Sequence, residues 1–313
     1  MQISDRSLAI TSSTLFYKYP IIGFINLILL FSPITSLAES NLLLAQSINQ
    51  PAIDSLNQGL QSIQGGRVQD AIASFKKSIQ IDPKLAAAHY NLGLAFRQTG
   101  QLKPAADAFY QATKADPQFA LAFANLGGAL LEGNNVQQAN DYLQRALELD
   151  PKLGFAHYNL GLVRQQQQDW KKAIASFKKA TEYSKNAPEP YYHLGICYLQ
   201  QGKLDQAKNS FRQAIKINPK YTEAHYNLGA IWFSQNKLKE ALTSFRKSAE
   251  TNSKYPNAYY GAGLVFIQQK NYPEAVQVLQ YARNLYKTQG NVQWVQNSEK
   301  LLQQVQNLNY QPR

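Results

Sequence analysis

The sequence predicts an all-α protein, a solenoid of seven helix-turn-helix repeats closed by one further helix. Three observations carry that prediction. A 34-residue motif recurs seven times without a gap from Ala52 to Gln289. Its eighth position is always glycine (Gly59, Gly93, Gly127, Gly161, Gly195, Gly229, Gly263) and its twentieth always alanine (Ala71, Ala105, Ala139, Ala173, Ala207, Ala241, Ala275). Within each motif, apolar residues return at spacings of three and four, as on one face of a helix.

Residues 1–38 lie ahead of this pattern. Arg6 and Lys18 precede twenty uncharged residues, 19–38, with an apolar centre from Ile21 to Phe31 and the small residues Ser36-Leu37-Ala38 at the end. Such a segment reads as an export signal, first as a cleaved signal peptide and second as an uncleaved membrane anchor, since its length approaches that of a bilayer span. Either reading places the repeats in the periplasm or another extracytoplasmic compartment, because no basic residue occurs between Lys18 and Arg67. Residues 39–51 form a linker.

The repeats are then 52–85, 86–119, 120–153, 154–187, 188–221, 222–255 and 256–289. In the second, the helices are expected at Ala87 to Thr99 and Pro104 to Ala115. Gly66, Gly100, Gly202, Asn134 and Asn236 punctuate the links inside repeats, being residues that tolerate the left-handed conformation at a helix end. Asp82-Pro83, Asp116-Pro117, Asp150-Pro151 and Asn218-Pro219 stop the second helices. Lys185, Ser253 and Lys287 stand where that proline would be in the other three repeats. Seven helical glycines oppose helicity by about 7 kcal/mol in all. Close packing has to offset this, and the expected contact is a backbone crossing between positions 8 and 20, with the bulky residue at position 24 (Phe75, Phe109, Leu143, Phe177, Phe211, Phe245, Leu279) beside it. Residues 290–313 supply the capping helix, with Trp294, Leu301, Leu302, Val305 and Leu308 on one face. At the other end, Gln58 and Ser62 replace apolar residues, so the first helix is expected to face water.

Period and columns together resemble the tetratricopeptide repeat. That resemblance implies a right-handed superhelix whose first helices line a concave face. With positions 4, 7, 8 and 11 taken as the buried stripe, positions 2, 6, 9 and 13 face the groove. Position 6 reads Asn57, Asn91, Asn125, Asn159, His193, Asn227 and Gly261, and position 13 adds Gln98 and Gln166 among other amides. A primary amide carries one acceptor and two donors, and can pair with peptide backbone without reading side chains. The segments Ala88-His89-Tyr90-Asn91-Leu92-Gly93 and Ala156-His157-Tyr158-Asn159-Leu160-Gly161 are similar to those of the O-linked N-acetylglucosamine transferase repeats. This implies an asparagine ladder for an extended peptide, flanked by Tyr90 and Tyr158, which either pack between adjacent first helices or stack on peptide side chains; the transferase domain has no counterpart here. The candidate peptide-binding residues are therefore Asn57, Asn91, Asn125, Asn159, Asn227, Gln98, Gln166, Tyr90 and Tyr158. His193 and Gly261 interrupt the column.

The remaining chemistry is sparse. The formal net charge is +12, and +11 without residues 1–38. Lys76-Lys77, Lys178-Lys179 and Arg246-Lys247 at positions 25 and 26 belong on the outer face, either as a solvated surface or as a docking surface for an anionic membrane or an acidic partner. Nucleic acid is not expected. His89, His157 and His225 share position 4 two repeats apart, too far for one metal ion. The single cysteine, Cys197, is expected as a packed thiol. No nucleophile triad, carboxylate pair or phosphate loop occurs, so neither an enzyme nor a cofactor is expected. The reading is a protein-binding scaffold. The alternative is recruitment to an envelope or membrane surface through the basic face, and the third an accessory subunit of a sugar-modifying enzyme.

Overall fold

The computed structural model describes residues 49–309, so the export segment and most of the linker lie outside the described residues. These residues form fifteen helices and no strand. The described residues divide into two compact units, one ending at Gln167 and the other beginning at Gln168. The first holds α1 (Gln50–Gln64), α2 (Val68–Ile81), α3 (Ala86–Gln98), α4 (Leu102–Ala115), α5 (Ala120–Glu132), α6 (Val136–Leu149) and α7 (Gly154–Gln166). The second holds α8 (Trp170–Tyr183), α9 (Pro188–Gln200), α10 (Leu204–Ile217), α11 (Thr222–Ser234), α12 (Leu238–Thr251), α13 (Pro256–Gln268), α14 (Tyr272–Thr288) and α15 (Val292–Asn309).

Two local devices end most of the helices. Inside repeats, the second residue after the first helix takes the left-handed conformation, at Gly66, Gly100, Asn134, Gly202 and Asn236 as the sequence predicts, and also at Gln168 and Lys270. Between repeats, the Asp or Asn side chain accepts a hydrogen bond from the backbone two residues on: Asp82 from Lys84, Asp116 from Gln118, Asp150 from Lys152 and Asn218 from Lys220, each at 2.9 to 3.0 Å. Asn252 does the same to Lys254 without a following proline, so the side-chain turn is sufficient there. Position 4 then locks the turn. His89, His157 and His225 bond the carbonyl of Pro83, Pro151 and Pro219 at 2.8 to 2.9 Å, and Tyr259 donates to Ser253.

The glycine column refines the expected crossing. A Cβ on Gly93 would stand 2.6 Å from the Phe109 ring, one on Gly195 2.5 Å from Phe211 and one on Gly229 2.8 Å from Phe245. The void left by glycine is filled first by the position-24 side chain, and the position-20 backbone approaches as expected at Gly127, where an added Cβ would stand 3.1 Å from the Ala139 carbonyl oxygen. Those rings are fully buried or nearly so, and the alanines at position 20 are at 0% exposure beside them. Position 27 is small because it meets the first residue of its own repeat: Ser78 donates to Ala52 and Ser248 to Thr222 through buried bonds.

The buried arc of the first helices also departs from expectation. Positions 3 and 10 are the deepest, with Ala88, Ala122, Ala156, Val163, Cys197 and Val265 at 0% exposure, whereas His89, Phe96, Phe123 and Leu130 at positions 4 and 11 are half-buried. A first helix is packed by its own partner and by its neighbours' helices, so its apolar arc is wider than one stripe. At the start, Gln58 is exposed but Ser62 is buried, contrary to expectation for the latter. At the end, α15 closes the second unit: Leu302 and Val305 pack with Ala275 and Leu279, and Trp294 meets Tyr260 and Tyr286.

Candidate functional site

The position-6 residues were expected to stand free in a groove. The structure gives a more differentiated column. In the first unit Asn57 is exposed, Asn91 half-buried, and Asn125 and Asn159 buried. Asn91, Asn125 and Asn159 each donate one amide N–H to the carbonyl four residues earlier in the same helix, Ala87, Leu121 and Phe155, at 2.8, 2.9 and 3.0 Å. One donor of every such amide is thereby spent. The bond also fixes the rotamer, which is a preorganising effect: the amide oxygen is held without paying for its immobilisation on binding.

The three asparagines are not equivalent. Asn125 donates further to the Tyr90 hydroxyl at 3.3 Å and accepts from the Arg97 guanidinium at 3.4 Å, so the expected central rung is already occupied. Among the described residues, no group donates to the amide oxygen of Asn91 or Asn159. In the second unit Asn227 repeats the pattern, donating to Glu223 at 2.8 Å and to the Tyr192 hydroxyl at 3.5 Å. Tyrosine at position 5 and asparagine at position 6 of the next repeat thus form a recurring side-chain link. Gly261 interrupts the column because a Cβ there would stand 2.6 Å from Phe245, the ring that also fills the space at Gly229. His193 stacks on Phe177 at 5.4 Å, and burial pushes its imidazole down to about 4.

The flanking residues sort in the same way. Tyr90 packs against Phe109 and Phe119, with centroids 5.8 and 4.9 Å away, and burial raises its hydroxyl pKa. Its ring belongs to the core between helices and is not a free stacking platform. Tyr158 is half-buried and Gln98 exposed. Gln166 donates across one repeat to Asn134 at 2.8 Å, the residue in the left-handed turn, as Gln268 does to Asn236. One feature went unread in the sequence: Arg97 and Glu132 form an ion pair between α3 and α5, 14% and 17% exposed, with Arg97 also over the Phe155 ring. Their spacing of one repeat plus one residue was the available signal. The pair neutralises Arg97.

Cys197 is buried, and desolvation pushes its thiol up to about 12, away from nucleophilic use. Among the described residues no three His, Cys, Asp or Glu side chains gather as a metal would need. Lys76, Lys77, Lys178, Lys179, Arg246 and Lys247 are all exposed.

A helix pair repeated every 34 residues defines a helical-repeat protein. The family model of the cilia and flagella-associated protein 70 C-terminal domain matches residues 37–263, and that of the tetratricopeptide repeat matches residues 243–289. The chain belongs to the tetratricopeptide-repeat family that this C-terminal domain represents. No curated protein matches it. Among solved structures it is similar to YrrB, a tetratricopeptide-repeat protein with an unusual peptide-binding site, at 25% identity over 62% of this chain and 99% of that one, with a TM-score of 0.51. It also resembles pilF of Pseudomonas aeruginosa (20% identity, 67% of this chain and 96% of that one, TM-score 0.60). A tetratricopeptide-repeat protein from Parabacteroides merdae aligns at 19% identity over 82% of this chain and 99% of that one, with a TM-score of 0.59. The last two show the fold alone.

Proposed function

We propose that this chain is a non-enzymatic scaffold that binds an extended segment of another protein along its first helices, and that it works outside the cytoplasm. The observation that carries this reading is the pair of fixed amide oxygens on Asn91 and Asn159, which accept from no donor among the described residues, an arrangement that can accept backbone N–H groups without selecting side chains. The peptide-binding site of YrrB supports the same class of function. Asn227 offers the equivalent acceptor in the second unit, and exposed Gln98 lies at the edge of the column. Export rests on residues 19–38, whose uncharged, apolar run follows Arg6 and Lys18.

A photo-crosslinking residue placed at Gln98 tests the binding face in the native cell. It should capture a protein segment that the same residue at Lys178 does not; capture from Lys178 alone would contradict the reading. The second reading, recruitment to an anionic membrane, is favoured by the exposed lysine pairs at positions 25 and 26 and predicts the reverse.

A further inference from the structure

Three cations converge on one indole ring in the second unit. The Lys208 ammonium stands 4.5 Å from the Trp232 ring centroid, that of Lys237 4.9 Å, and the Arg212 guanidinium 5.4 Å. Arg212 and Lys237 are therefore no farther apart than these two ring distances combined. Lys208 and Arg212 lie four residues apart on α10, Trp232 is on α11, and Lys237 is the N-cap of α12.

The charges are not balanced. Lys208 is only 12% exposed and is held by Asp205 at 2.8 Å and by the side-chain amide oxygen of Gln235 at 3.4 Å. Asp205 is fully exposed, and its carboxyl is held below the usual range by its bond to Lys208 and by the nearby Lys237. One carboxylate thus faces three cations. Like charges four residues apart on a helix repel, as do cations gathered at one ring, and the π face offsets only part of that repulsion. Arg212 and Lys237 are exposed and pair with no acidic group among the described residues, so two usable cations are left on the water side of Trp232.

We propose that Arg212, Lys237 and the Trp232 ring form a docking site for an acidic peptide segment, separate from the asparagine column. Trp232 follows Asn227 by five residues on α11, about 140° around the helix axis, so one ligand residue cannot reach both. The guanidinium fork suits a carboxylate, and the lysine takes its neighbour along the segment. A membrane fits less well. None of the exposed large apolar side chains lies on α10, α11 or α12, so nothing is available to insert beside the charges. Cations on one ring make a focal site for one or two anionic groups and not a broad field.

Calorimetric titration of the full chain with a hexaglutamate peptide tests this. Saturable binding is expected, weakened about tenfold in the double variant Arg212→Gln/Lys237→Gln and unchanged in Lys76→Gln/Lys77→Gln, which removes the same charge elsewhere. Both double variants change exposed side chains, so folding is preserved. An Asn91→Ala/Asn159→Ala variant should bind hexaglutamate as the parent does, which separates this site from the amide column. Equal losses in both charge variants would reduce the effect to net charge and overturn the proposal. So would absence of binding, or capture of phosphatidylglycerol vesicles through Arg212 and Lys237 by a chain that ignores the peptide.

Discussion

At the scale of single residues, stability is concentrated where glycine meets a position-24 ring. Phe109 is fully buried and cannot retreat, so Gly93→Leu should lower unfolding free energy by about 3 kcal/mol, at the upper end of overpacking losses. Urea denaturation reads this, and an unshifted midpoint would place the contact elsewhere. His193 supplies a pH test. Its imidazole is held neutral in the fold, down to about 4 against about 6.5 in the unfolded chain. The unfolded state therefore binds the extra proton, and the stability tied to this residue is full above pH 6.5 and lost as pH falls toward 4. The ring keeps partial solvent contact, so the loss is put at about 2 kcal/mol between pH 7 and 4.5. His193→Asn should flatten that slope in thermal melts, because asparagine does not titrate; an unaltered slope would exclude His193 as its source.

At the scale of elements, the helix pairs were legible because every column repeats. Gly93 and Phe109 can be matched from the sequence, since the same two positions carry glycine and a bulky apolar residue in all seven repeats. Helix limits were legible to within two residues where Asp-Pro or a left-handed glycine ends them: α3 and α4 run Ala86–Gln98 and Leu102–Ala115. What could not be read was contact across neighbouring repeats between unlike positions. The Arg97–Glu132 pair, the Tyr90–Asn125 link and the cations on Trp232 each join residues from different columns, and no single-column comparison reveals them. The same limit explains why the asparagines looked alike. Asn125 differs from Asn91 and Asn159 only through Tyr90 and Arg97, which come from the preceding repeat. The closing helix was legible from its apolar face, and its energetics are testable. Leu302→Ala should cost about 3 kcal/mol in the second unit, since it empties a site packed against Ala275 and Leu279. Hydrogen exchange would show the loss first in α14 and α15. Uniform protection would mean that α15 is not a cap.

At the scale of the whole molecule, two sets of side chains on one chain do different work: neutral amides on the first helices and exposed cations on the second. They respond differently to salt. Backbone pairing to amide oxygens involves no net charge, whereas binding through lysines weakens as ionic strength rises. Replacing Asn91 and Asn159 by alanine leaves the fold intact, because alanine is the better helix former and the lost bond to the carbonyl four residues back is local. The decisive measurement is the affinity of the segment captured at Gln98 for the parent chain, for Asn91→Ala/Asn159→Ala and for Lys178→Gln/Lys179→Gln, at low and high salt. Two amide bonds at about 1 kcal/mol each predict a loss of about thirtyfold in the asparagine variant, the same at both salt concentrations, and no change in the lysine variant. Unchanged affinity in the asparagine variant, with a salt-dependent loss in the lysine variant, would contradict it.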